Sequence, residues 1–155
     1  MVSVNTSEFL THGKIGVIVL GMNANTVKEV LGEPDNVGGE SRKYKWPNIW
    51  LYGDFQLIFD KVERKLNMIV VEFDCGNEPI SGGHAFKLTP VFIRKGLSTE
   101  DIMTFLSSEG IDFQEVKPLE EGTSRLKVGR TTFIFDDTQG KDFGLVHMSV
   151  SSSDY

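Results

Sequence analysis

The stretch Leu20-Gly21-Met22-Asn23-Ala24-Asn25-Thr26-Val27-Lys28-Glu29-Val30-Leu31-Gly32-Glu33-Pro34 constrains the fold more than any other part of the sequence. It spells a helix with both of its ends. Asn23 is an N-cap for the amides that follow, Val27, Val30 and Leu31 fall at i, i+3 and i+4 on one side, and Gly32 with Pro34 stops the turn. A helix with one apolar stripe needs something to cover that stripe.

The segment recurs. Gly21-Met22-Asn23 aligns with Gly96-Leu97-Ser98, an offset of 75, and Val27, Val30 and Leu31 then match Ile102, Phe105 and Leu106. Downstream, Gly53-Asp54-Phe55-Gln56-Leu57-Ile58-Phe59-Asp60 aligns with Gly129-Arg130-Thr131-Thr132-Phe133-Ile134-Phe135-Asp136 at an offset of 76. Leu66, Ile69 and Val71 match Leu145, Met148 and Val150 at an offset of 79, which requires three extra residues in the second hairpin. The expected organisation is therefore two copies of a helix followed by a meander of strands: residues 1–76, a linker at 77–84, and residues 85–155.

With 155 residues, of which 39% are hydrophobic and 25% charged, the chain can bury a core, which excludes a disordered polymer. It has no apolar run long enough for a bilayer-spanning helix, so no membrane partner is expected. A net charge of -6 disfavours nucleic acid, because binding phosphates needs clustered lysine and arginine. The acidic excess suits a basic protein partner, and serves solubility equally well. The single cysteine, Cys75, precludes an internal disulfide and a thiolate zinc site. Residues Met1 to Leu10 lack the basic start and apolar core of a secretion signal, so the cytoplasm is the expected location.

In chain order, residues 1–13 read as an irregular lead-in, and Ile15 to Leu20 as a short strand or an extended segment under the helix. Asp35 to Glu40 has loop composition. Arg42 to Trp46, Ile49 to Tyr52, Phe55 to Phe59 and Leu66 to Phe73 read as strands. Phe55, Leu57 and Phe59, with Ile69, Val71 and Phe73, are expected to face the helix. Gln56, Ile58, Met68, Val70 and Glu72 form an opposite face that is unusually apolar. His84 to Ile93 is extended. Ser98 caps the second helix with Asp101 as a capping-box partner, and Gly110 ends it. Ile111 to Val116, Arg125 to Val128, Thr131 to Phe135 and Leu145 to Ser151 complete the second meander, with an acidic loop at 117–123.

Chemistry-bearing patterns are sparse. His12, His84 and His147 have no ligand spacing, so neither metal nor cofactor is expected. Asp74 beside Cys75 opposes thiolate formation, which disfavours a nucleophilic role. Asp136-Asp137-Thr138-Gln139-Gly140 reads as a hairpin turn rather than a calcium loop, and nucleophile elbows, phosphate loops and dinucleotide fingerprints are absent. The chain does not read as an enzyme.

What stands out is aromatic. Tyr44, Trp46, Trp50 and Tyr52 lie within nine positions, flanked by Arg42, Lys43 and Lys45. Tyrosine and tryptophan dominate binding at protein interfaces, whereas alternate residues of such strands belong to a core.

The pattern Leu20-Gly21-Met22, Val27, Val30-Leu31-Gly32-Glu33-Pro34, Tyr52-Gly53 and Phe59-Asp60 resembles the repeat of the beta-lactamase inhibitor protein superfamily. The second copy is looser, with Lys95 in place of Leu20 and no proline after the helix. The resemblance implies an α+β fold of two tandem helix-plus-antiparallel-meander repeats whose sheets share a concave face, often presented to a protein partner. Lacking the inhibitor's disulfides and the lipidated cysteine of related lipoproteins, the chain is most similar to immunity proteins that neutralise a cognate bacterial toxin.

The expected function is accordingly a non-enzymatic protein-binding module of the immunity-protein kind, which neutralises a cognate bacterial toxin by binding it. A structural module that binds cellular proteins or itself, and a small-molecule binder or enzyme with a pocket between the repeats, are the alternatives. The expected contact residues are Tyr44, Trp46, Trp50, Tyr52 and Gln56, with Glu72, Asp74, Glu120 and Glu121 as acidic complements to a basic partner. Replacing Trp50 and Tyr52 together by alanine is expected to weaken binding by about 2 kcal/mol or more without unfolding the chain.

Overall fold

The computed structural model describes residues 1–73, 78–137 and 144–151. Among these the elements run β1 (Val2–Asn5), α1 (Thr6–His12), α2 (Ala24–Leu31), β2 (Asn36–Gly38), β3 (Ile49–Tyr52), β4 (Phe55–Phe59) and β5 (Leu66–Glu72). They continue with β6 (Phe86–Thr89), α3 (Thr99–Ser108), β7 (Gln114–Val116), β8 (Thr123–Val128), β9 (Thr131–Asp136) and β10 (Gly144–Ser151). The fold is α+β.

Both capped helices form where their end signals place them. The Asn23 side chain accepts from the Asn25 amide, and the Gly32 amide closes α2 on the Lys28 carbonyl. In α3 the Ser98 hydroxyl accepts from the Asp101 amide while the Asp101 carboxylate accepts from the Ser98 amide, both at 3.0 Å. Gly110, at a φ of 68°, reverses the chain so that the Ile111 amide reaches the Leu106 carbonyl.

The strands build one eight-stranded antiparallel sheet in the order β2-β3-β4-β5-β10-β9-β8-β7. Its centre is the β5–β10 ladder, in which Val71 lies opposite Met148 and Val70 opposite Ser149. The strands that follow α2 and those that follow α3 are hydrogen-bonded into this single sheet. A second, two-stranded parallel sheet joins β1 to β6.

Alternation sorts the large sheet into two faces. Phe55, Leu57, Phe59, Ile69, Val71, Leu126, Val128, Phe133, Phe135, Met148 and Val150 are all buried, in one cluster with Phe9 and Leu10 of α1, Val27 and Leu31 of α2, and Ile102 and Leu106 of α3. All three helices therefore lie on the same face. The Phe55 ring meets Phe9 edge-on at 5.6 Å and Phe86 at 4.8 Å, so α1 and β6 are also packed on that face.

Several segments differ from their sequence reading. Residues 1–13 contain β1 and α1, which are held in place by distant partners. Thr131 donates its hydroxyl to the Leu10 carbonyl at 2.6 Å and Thr6 donates to the Pro90 carbonyl at 2.8 Å. Ile15 and Ile18 close a tight turn on each other, and both side chains are buried. The edge strand is Asn36–Gly38, whereas Arg42 to Trp46 is irregular, with the Ser41 side chain bonded to the Tyr44 amide. Short polar edge segments pair through their backbone, a property that side-chain alternation does not record.

The segment read as a linker is anchored at Ile80 and Gly82, which are buried, and Asn77 lies outside the described residues. Ile80 is buried, its amide donates to Ile93, and Ser81 exchanges hydrogen bonds with Asp54. Gly53, at a φ of 58°, makes this approach possible, because a side chain there would run into the backbone of Ser81 and Gly83. Gly129, at a φ of 55°, plays the same part in the β8–β9 turn, where the intruding backbone is Thr11.

Candidate functional site

The helix-free face of the sheet is laid out by its register. One transverse row reads Leu51, Gln56, Val70, Ser149, Thr132, Lys127 and Gln114 from β3 to the β7 edge. A second reads Glu72, His147, Ile134, Arg125 and Val116. A third reads Ile49, Ile58, Met68 and Ser151. The β3–β5 half of this face is mainly aliphatic, and the β8–β10 half is mainly hydroxyl-bearing and basic.

At the boundary lies a depression of about 410 Å³, lined by Met68, Val70, Leu119, Arg125, Thr132, Ile134, His147 and Ser149. Val70 and Thr132 are buried at its floor, whereas Leu119, on the loop before β8, is 75% exposed. His147 Nδ1 lies 2.8 Å from the Glu72 carboxylate across the β5–β10 ladder, so that pair fixes one end of the depression. The Arg125 Nε is buried and has no hydrogen-bond partner among the described residues. A desolvated guanidinium nitrogen without an acceptor is costly, and an acceptor arriving from outside would relieve that cost.

The structure divides the residues expected at an interface. Gln56 and Glu72 lie on the open face, with Glu72 exposed, and Glu120 and Glu121 are exposed on the loop that carries Leu119. Asp74 lies outside the described residues.

Trp50 and Tyr52 are corrections. Their side chains point to the helix-covered face, where Trp50 packs 4.6 Å from Phe59 and donates its Nε1 proton to the Pro47 carbonyl. Tyr52 is completely buried, and its hydroxyl reaches Gly32. Neither offers surface to a partner, and truncating both would open the core. Trp46 is half-buried against Trp50 and Phe59 with Arg64 over its ring at 4.7 Å. Tyr44 is flanked by Lys43 and Lys61. The aromatic group thus seals the edge of the core.

Sequence reading missed Arg125 and the β9–β10 part of the face. The signal was the alternation Thr131 to Phe135, in which Thr132 and Ile134 had to face away from Phe133 and Phe135. Among the described residues, no three His, Cys, Asp or Glu side chains group so as to hold a metal ion, and no helix is long and apolar enough to cross a membrane. No protein-family model, curated protein or solved structure matches the chain.

Proposed function

We propose that the chain is a non-enzymatic protein-binding module whose partner docks on the open face of the eight-stranded sheet, and that this partner is a bacterial toxin neutralised by the contact. The observation that carries the reading is the one-sided covering of the sheet. All three helices pack on one face, while Ile49, Leu51, Ile58 and Met68 stay partly exposed on the other. Apolar side chains gathered on an uncovered sheet face suit an interface core, and Glu120 and Glu121 beside it suit a polar rim that selects a basic partner.

The immunity role comes from the sequence resemblance, and the two-copy architecture from the internal repeat that the resemblance matches. In support of duplication, α2 is followed by β2–β5 and α3 by β7–β10, and the last strand of each series meets the other at the sheet centre. Gly53 and Gly129, aligned in sequence, both occupy left-handed turns that admit a crossing backbone.

The test is growth rescue. A toxin domain encoded beside this chain is expressed with the wild type or with Ile58→Lys, which places a charge in the aliphatic half of the face without touching the core. Rescue by the wild type and its loss in a normally folded Ile58→Lys protein is the expected result. Rescue that survives the substitution refutes this placement of the interface. A wild-type chain that rescues nothing and instead dimerises through the same face would favour the self-association alternative.

A further inference from the structure

We propose that the depression at the β5–β10 boundary binds a small amphipathic carboxylic acid, with its carboxylate on the Arg125 guanidinium and its apolar body between Met68, Val70, Ile134 and Leu119. This site lies on the same open face and shares Met68 with the proposed interface, but ligand binding there needs no protein partner.

Three observations converge on that ligand chemistry. The first is the buried Arg125 Nε, which lacks an acceptor among the described residues. The acidic side chain on the same row, Glu72, lies three strands away on β5 and is engaged by His147 at 2.8 Å. A carboxylate matches the guanidinium fork with two parallel hydrogen bonds, which a neutral alcohol does not.

The second is the lining. Four apolar side chains surround the space, and its volume of about 410 Å³ falls in the range of small-molecule sites. Leu119 overhangs it while remaining largely exposed, so an aliphatic body lying beneath would cover surface that the chain itself leaves wet.

The third is the polar content. Thr132 and Ser149 add hydroxyls beside the guanidinium on the cross-strand rows, enough to complete the shell of one carboxylate. A single guanidinium in a chain of net charge -6 suits a monoanion better than a phosphate dianion.

The experiment titrates the full chain with octanoate and separately with octan-1-ol, followed by calorimetry and by backbone amide shifts. Saturable octanoate binding that moves amides of β5, β9 and β10 is expected, with octan-1-ol at least about tenfold weaker, because hydrogen bonds to charged groups carry that much discrimination. Arg125→Gln should cost octanoate at least about tenfold and leave octan-1-ol unchanged. Equal binding of acid and alcohol, no saturable binding of octanoate, or an Arg125→Gln protein that binds octanoate normally would each overturn the proposal. Should Arg125→Gln fail to fold, Ser149→Leu fills the depression while keeping the cation, and retained octanoate binding there overturns it equally. Because these titrations use no toxin, their failure leaves the growth-rescue result to stand or fall separately.

Discussion

The Tyr52 hydroxyl donates to the Gly32 carbonyl across 2.8 Å, tying the end of β3 to the C-terminal end of α2. A helix C-terminus leaves carbonyls without intrahelical partners, and here a strand side chain supplies one. Tyr52→Phe keeps the ring and loses that bond, so denaturant melts should show a loss of about 1 kcal/mol. Tyr52→Ala also empties ring volume from the core and should cost about 3–5 kcal/mol. Burial, and then the negative charges of Glu33 and Asp35, push the Tyr52 phenol well above its usual range. The folded state therefore holds this proton more tightly than the unfolded one. Its contribution to stability is complete below the unfolded value near pH 10 and is lost as pH rises beyond it. The native protein at about pH 11 should show less phenolate absorbance than the unfolded chain, and Tyr52→Phe should shrink the difference.

The reciprocal bonds of Ser98 and Asp101 make the start of α3 sensitive to acid. The hydrogen bond from the Ser98 amide, with help from the Ser98 side chain and then Arg94, holds the Asp101 carboxyl below its usual range. Stability from a depressed carboxyl is present above the unfolded value near pH 4 and declines as pH falls through the folded one. Ser98→Ala should cost about 1 kcal/mol at neutral pH. The stability gap between the wild type and Asp101→Asn, read by urea melts, should narrow as pH is lowered.

Gly53 and Gly129 should be among the least replaceable positions. Each combines a left-handed backbone with a neighbouring main chain where a Cβ would sit, Ser81 and Gly83 in one case and Thr11 in the other. Gly53→Ala and Gly129→Ala should each destabilise by about 2 kcal/mol or more, since main chain cannot swing aside as a side chain can. By contrast Gly110→Ala meets open space and pays only for its φ of 68°. Thermal melts of the three variants should rank Gly110→Ala as the mildest.

Thr131 anchors α1 through its bond to Leu10, and the site is buried. Thr131→Val preserves shape while removing the donor, so about 1 kcal/mol should be lost. Amide hydrogen exchange should then rise first in α1, before β9 itself loses protection.

The parts of the fold readable from sequence are those whose signals are local. α2 and α3 announce their ends through Asn23, Gly32, Ser98 and Gly110, and β4 announces its faces through Phe55, Gln56, Leu57, Ile58 and Phe59. The joining of the two meanders depends on β5 meeting β10, a pairing between residues nearly eighty positions apart that no local pattern encodes. The N-terminal segment was missed for a related reason, since α1 is only seven residues long and gains its stability from Phe9 and Leu10 in a distant core. In the same way, Trp50 and Tyr52 attract attention as binding aromatics until the face they occupy is known. Arg125 became visible only when register placed it beside Ile134.

Among the described residues, strand β10 comes after every other strand in sequence and yet occupies the middle of the sheet. During synthesis, β5 and β9 therefore wait with unsatisfied amides and carbonyls until residue 151 has emerged. A nascent or proteolytically shortened chain would carry two bare, apolar-backed edges open to other chains, and would be prone to aggregate.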